Sequence, residues 1–79
     1  SSANIAYTTS RPEERTHAES LLNEVLLKQQ VNPVIRKIIN SNIEDMLGSI
    51  IAMRRNSAPF SDKEIATAVQ VFIDKLSKQ

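Results

Sequence analysis

The fold of this chain is decided most clearly by residues 61–77, which read SDKEIATAVQVFIDKLS. Ser61 followed by Glu64 is the capping-box pattern, in which each side chain accepts from the other residue's backbone N–H at a helix start. Apolar residues then recur at helical spacing, namely Ile65, Ala68, Val69, Phe72, Ile73 and Leu76. The segment therefore predicts an amphipathic helix from about Asp62 to Ser77, with this apolar stripe facing a core.

Helix-start signals recur along the rest of the chain. The capping pattern appears again at Ser10–Glu13 and Ser41–Glu44, and Asn32–Pro33 is a good cap followed by proline at the first helical position. Phe60, just before the last start, is placed to form a hydrophobic staple with Ile65. These signals predict an all-α fold, a small bundle of three or four amphipathic helices. We expect this bundle to self-associate, because of the apolar excess described below.

The boundaries of the earlier helices follow from their apolar stripes. The first helix should run from about Arg11 to Gln29, with its stripe formed by Ala18, Leu21, Leu22, Val25 and Leu26. From Pro33 to Arg55 the sequence has no further proline, so one continuous helix is possible. A break around Asn40–Asn42, where a capping pattern lies, would let the two halves reorient, and we favour the break.

The N-terminal segment is ambiguous. Ile5, Tyr7 and Thr9 alternate with Asn4, Ala6 and Thr8, which is a short strand pattern. The alternative is a flexible terminus, since chain ends are often poorly ordered. We therefore divide the chain into a flexible or short extended N-terminus, residues 1–10, and a single helical domain, residues 11–79.

The composition excludes several classes of protein. The absence of cysteine excludes disulfides, thiolate zinc sites and cysteine nucleophiles. Lys and Arg total 10 and Asp and Glu total 9, and this balance argues against a strongly cationic nucleic-acid arm. No apolar stretch approaches the roughly 18 residues that span a bilayer, so we expect no membrane association. Residues 1–10 lack the pattern of a signal peptide and the sequence has no cysteine, so we expect a cytoplasmic protein.

The sequence offers no catalytic or metal-binding constellation. His17 is the only histidine, and Glu13 and Glu14 lie one turn before it. A general base needs a reacting partner held in a pocket, and a zinc site needs three or four ligands. We therefore expect an exposed helical histidine, no metal, no cofactor and no enzymatic activity.

An excess of apolar residues in the middle segment points to an interface. Our candidate interface consists of Ile43, Leu47, Ile50 and Ile51, which share one broad helical face. In so small a chain this face is hard to bury internally, and exposed apolar patches mark interfaces. The alternative is a middle helix sandwiched between the other two, with this face in the core. Gly48, within the same segment, would allow another helix to approach closely, or is simply a glycine tolerated in the helix. We predict a regulator, inhibitor or adaptor that binds another protein and is itself dimeric.

One family resemblance supplies an alternative function. A short alternating strand, then Arg-Pro-Glu-Glu at residues 11–14, a helix, a turn and a second helix resemble the ribbon–helix–helix repressors and antitoxins over about Asn4 to Ile51. The resemblance implies a dimeric DNA-binding regulator whose paired strands enter the major groove. Asn4, Ala6 and Thr8 would then face DNA, and Asn32 to Val34 would hold a phosphate. The strand carries no basic residue and the turn no glycine, in contrast to that family.

Overall fold

The computed structural model describes residues 2–56 and 61–78, which form five α-helices and no strand. The helices are α1 (Ser2–Thr8), α2 (Pro12–Gln29), α3 (Pro33–Ser41), α4 (Ile43–Arg55) and α5 (Asp62–Ser77). The predicted all-α class is confirmed, with five helices in place of the expected three or four. The proposed staple between Phe60 and Ile65 involves a residue outside the described part of the chain.

Residues 2–8 are helical, in contrast to the flexible or extended state expected from their alternating pattern. Ala6 is buried and Tyr7 packs against the core, so α1 is held by contact with the rest of the chain, chiefly with α4. The hydroxyl of Thr8 donates to the carbonyl oxygen of Asn4 at 2.8 Å. A helix this short is not stable alone, and packing decides its conformation where the local pattern does not.

Gly48 allows α1 to lie directly on α4. A Cβ atom added at this position would overlap the carbonyl group of Ala3. The expectation that Gly48 permits close approach of another helix is therefore confirmed, and the helix is α1. The N-terminal segment thus occupies a face of α4 that would otherwise be open.

The chain breaks between α3 and α4 as favoured, because α3 ends at Ser41 and α4 begins at Ile43. The capping box predicted there is wrong. Asn42 is the junction residue, and the Ser41 hydroxyl donates to the Lys37 carbonyl oxygen at 3.0 Å instead. One residue between two helices leaves no extended segment in which Ser41 could reach forward to cap α4.

The other predicted helix starts have mixed outcomes. Asn32 accepts from the Ile35 backbone N–H at 2.9 Å, as predicted. Ser61 and Glu64 form the full capping box, with both hydrogen bonds at 3.2 Å. At α2 the start is shifted by one residue, and Glu14, not Glu13, accepts from the backbone N–H of Arg11 at 2.9 Å.

The core is formed by apolar side chains from all five helices. The buried set comprises Ala6, Ala18, Leu21, Leu22, Val25, Leu26, Ile35, Ile39, Met46, Leu47, Ile50, Ile51, Ile65, Val69 and Ile73. On α5 the buried line runs through Ile65, Val69 and Ile73, whereas Ala68 is exposed and Phe72 is 46% exposed. The predicted apolar stripe of α5 is therefore wider than the arc that the core covers.

Candidate functional site

The four candidate interface residues lie in or against the core of the single chain. Leu47, Ile50 and Ile51 are 4%, 0% and 1% exposed, and Ile43 is partly buried. Helix α4 packs against each of the other four helices, which cover most of its apolar face. Leu47, Ile50 and Ile51 therefore have almost no surface to offer a second molecule, and Ile43 keeps only part of its surface exposed. Exposed apolar side chains are found instead on other faces, among them Val71 and Phe72 of α5.

A mainly apolar groove opens between α4 and α5. Its volume is about 380 Å³, and it is lined by Asn42, Asp45, Met46, Ser49, Ile50, Met53, Ala68, Val69 and Phe72. Helix α1 covers α4 at Gly48, whereas the next residue, Ser49, is exposed and lines the groove. We refer to this opening as the α4–α5 groove below.

The floor and the edges of the groove differ in character. Both methionines of the chain, Met46 and Met53, lie on its floor, the first buried and the second partly buried. Methionine is flexible and polarizable, so such a floor adapts to side chains of different shapes. The small side chains of Ser49 and Ala68 stand on opposite edges, one on each helix, and leave room for an incoming helix. Phe72 adds an aromatic ring to the α5 edge.

The groove carries little charge. Asp45 is the single charged residue in its lining, and it lies on the α4 edge in the first turn of that helix. The neighbouring Ser49 hydroxyl donates to the backbone carbonyl oxygen of Asp45 at 2.9 Å, so it is engaged in the helix. The chemistry of the groove is therefore apolar contact with one anionic edge.

His17 lies in a polar cluster that joins three helices. Arg54 Nη1 lies 2.6 Å from His17 Nε2, and Asp62 Oδ2 lies 3.1 Å from the same nitrogen. Arg54 also donates to the other carboxylate oxygen of Asp62. A guanidinium only donates and a carboxylate only accepts, so His17 Nε2 can hydrogen-bond to Arg54 or to Asp62 according to its tautomer, but not to both at once. The expected exposed histidine is partly buried, and its cluster links α2 to the end of α4 and the start of α5.

A second polar cluster holds the end of α1. Arg55 makes a bidentate ion pair with Glu14, with N···O distances of 3.0 and 3.1 Å, and donates to the side-chain and backbone oxygens of Thr9. The hydrogen bond from Arg55 lowers the pKa of Glu14 from 4.5 to about 2, assisted by the backbone N–H of Arg11. The same pair raises the pKa of Arg55. These contacts join α1, α2 and α4.

The positions implied by the ribbon–helix–helix resemblance are not arranged as in that family. Asn4, Ala6 and Thr8 lie on α1, which is helical, and Ala6 is buried. The Asn32 side chain is engaged as the cap of α3. The strand that would enter the major groove is absent from residues 2–8.

The described residues form neither a cluster of metal ligands nor a membrane-spanning helix. Within residues 2–56 and 61–78 there is no group of three or more His, Asp or Glu side chains that could hold a metal ion. None of the helices in the same part of the chain is long and apolar enough to cross a bilayer. No known protein family, curated protein or solved structure shows significant similarity to this chain.

Proposed function

We propose that this protein is a small, cytoplasmic, non-enzymatic protein–protein interaction module, a regulator, inhibitor or adaptor, that binds an amphipathic helix in the α4–α5 groove. The observation that carries this proposal is the open apolar groove whose floor holds both methionines of the chain. A helix laid into an apolar groove with its own apolar face inward is a common mode of recognition.

The energetics of the groove suit such a ligand. Burying one leucine-sized side chain contributes about 1.5–3 kcal/mol, so two or three anchors spaced along a helix offset part of the entropy lost on association. The floor of Met46 and Met53 accommodates anchors of different shapes because thioether side chains repack at small cost. These properties favour a binding surface over a site for a single small ligand.

The negative charge at the edge of the groove favours a ligand with a positive charge beside its apolar face. Asp45 stands exposed on the α4 edge, and no other charged side chain lines the groove to neutralise it. A lysine or arginine beside the apolar anchors would meet this carboxylate. We therefore expect the bound helix to carry a basic residue along one flank.

A titration with synthetic helical peptides tests the proposal. The probe is an amphipathic peptide with leucines spaced at i, i+4 and i+7 and with lysines on the flanks, compared with a peptide in which glutamate replaces lysine. With methyl-labelled methionine, we expect the basic peptide to shift the NMR signals of Met46 and Met53, and the acidic peptide to bind more weakly. Saturating basic peptide that leaves both methyl signals in place would contradict the proposal.

A matched pair of variants localises the effect. Ala68→Glu places a charge on the exposed α5 edge of the groove, whereas Leu27→Glu places one on α2, at a side chain that is 75% exposed and does not line the groove. We expect Ala68→Glu to abolish the methyl shifts and Leu27→Glu to retain them. Equal effects of the two variants would show that the peptide binds by charge alone.

A further inference from the structure

We propose that the helix bound in the α4–α5 groove is α5 of a second copy, so that the chain forms a two-fold symmetric dimer through this groove. The inference rests on the proposed function of the groove as a helix-binding surface. It moves the interface from the side chains suggested by the sequence, which lie in or against the core, to the exposed edge of α5.

Helix α5 has the exposed apolar face that a helix bound in the groove requires. Val71 is 48% exposed and Phe72 is 46% exposed, although both are large apolar side chains. Ala68 is exposed one turn before Phe72, so the three side chains form one outward patch beside the groove. An apolar patch that adjoins an apolar groove can cover the groove of a second copy while its own groove is covered in return.

The charges on the same surface are complementary. Lys75 is exposed and lies three residues after Phe72, which places it beside that ring on the helix surface. Asp45 stands on the opposite edge of the groove. In residues 2–56 and 61–78 the ion pairs involve other side chains, and neither Asp45 nor Lys75 is among them. Helix α5 thus carries the basic flank that the groove requires.

The other exposed apolar side chains do not share these features. Ile5, Leu27 and Val34 are 64%, 75% and 67% exposed, but each lies on a different helix and none lines the groove. Isolated surface apolar residues are normal in small proteins and need no partner. They therefore serve as controls for the same chemical substitution.

Sedimentation across micromolar to millimolar concentrations tests the dimer. We expect the unmodified chain to show a monomer–dimer equilibrium in this range. Phe72→Glu should raise the dissociation constant by about 30-fold or more, the change expected when a central aromatic anchor is lost. Leu27→Glu should leave it unchanged. A dimer that survives Phe72→Glu, or an unmodified chain that stays monomeric throughout, would overturn the inference.

A charge exchange gives a second, independent readout. Asp45→Lys and Lys75→Glu should each weaken the dimer, and the double variant should recover affinity because the opposite charges face each other again. Additive losses in the double variant would show that the two side chains do not meet across the interface. These surface changes keep the test informative if Phe72→Glu fails to fold, which circular dichroism will reveal.

The peptide titration separates this inference from the proposed function. If the dimer forms through the groove, the basic peptide should dissociate it as the peptide concentration rises. A monomeric chain whose methionine methyls respond to the peptide would reject the dimer and retain the helix-binding groove. A chain that neither dimerises nor binds the peptide would reject both.

Discussion

At the scale of single residues, Gly48 shows how a backbone position decides what packs on a helix. Alanine has the higher helix propensity by about 1 kcal/mol, so an exposed glycine here would be improved by replacement. Gly48 is instead buried under α1, and an added Cβ would overlap the backbone of Ala3. Backbone atoms cannot rotate out of the way as a side-chain end can, so the overlap must move α1 as a whole.

We therefore expect Gly48→Ala to lower the free energy of unfolding by about 1–3 kcal/mol, the usual cost of overpacking. The substitution should also accelerate amide hydrogen exchange more in α1 than in α2. Ser49→Ala, next to it but exposed, is the control and should change stability by no more than about 0.5 kcal/mol. A more stable Gly48→Ala protein would mean that α1 does not rest on α4.

Glu14 gives the chain a pH dependence at the residue scale. Its carboxylate is paired with Arg55, and its pKa falls from 4.5 to about 2 in the folded chain. The unfolded chain therefore binds the proton more readily, so the pair stabilises the fold above pH 4.5 and its contribution is lost as the pH falls from 4.5 towards 2.

Accordingly, Glu14→Gln should be less stable than the unmodified chain at pH 7, and the two urea midpoints should converge as the pH approaches 2. Glu13→Gln, in the same first turn of α2, is the matched control. Glu13 is exposed and takes part in no ion pair with the described residues, so its replacement should have a smaller effect. A difference for Glu14→Gln that persists unchanged to low pH would show that the ion pair is not its source.

At the scale of elements, identical capping patterns have different outcomes. Ser61 caps α5 because its own backbone is extended, with φ −84° and ψ 166°. Ser41 belongs to the last turn of α3, and its hydroxyl is turned back to Lys37. A capping box requires an extended residue at its start, and Ser61 meets this requirement whereas Ser41, inside α3, does not.

The two serines therefore provide a direct comparison. Ser61→Ala should lower the free energy of unfolding by about 0.5–2 kcal/mol, the usual value of a lost N-cap. Ser41→Ala, which removes only an exposed hydroxyl, should change it by less than about 0.5 kcal/mol. Denaturant midpoints measure both, and a larger loss at Ser41 would place the start of α4 one residue earlier.

At the scale of the whole molecule, the five helices of residues 2–56 and 61–78 share one core, and their fold is compact. The radius of gyration is 12.0 Å, close to the value of about 12 Å expected for a folded chain of this length. A fold of this size is stabilised by only roughly 5–15 kcal/mol in total. One uncompensated charge placed in its core can therefore exceed much of that stability.

This predicts opposite results for two substitutions to glutamate. Ile50→Glu, at a side chain with 0% exposure, should unfold the chain at neutral pH, with loss of the helical circular dichroism signal. Phe72→Glu, at a side chain that is 46% exposed, should leave the helical signal intact. A folded Ile50→Glu variant would put this residue at the surface and return it to the candidate interface.

The helical class, the start of α5 at the Ser61 cap and the start of α3 at the Asn32 cap follow from the amino-acid sequence. These features depend on spacing and on residues near in the chain, so local physical rules suffice to predict them. The tertiary structure alone decided that residues 2–8 are helical, because α1 is held by its contact with Gly48. It also decided which apolar residues stay outside: periodicity places Ile50 and Phe72 on apolar faces alike, and only the packing of neighbouring helices buries the first and leaves the second on the edge of the α4–α5 groove.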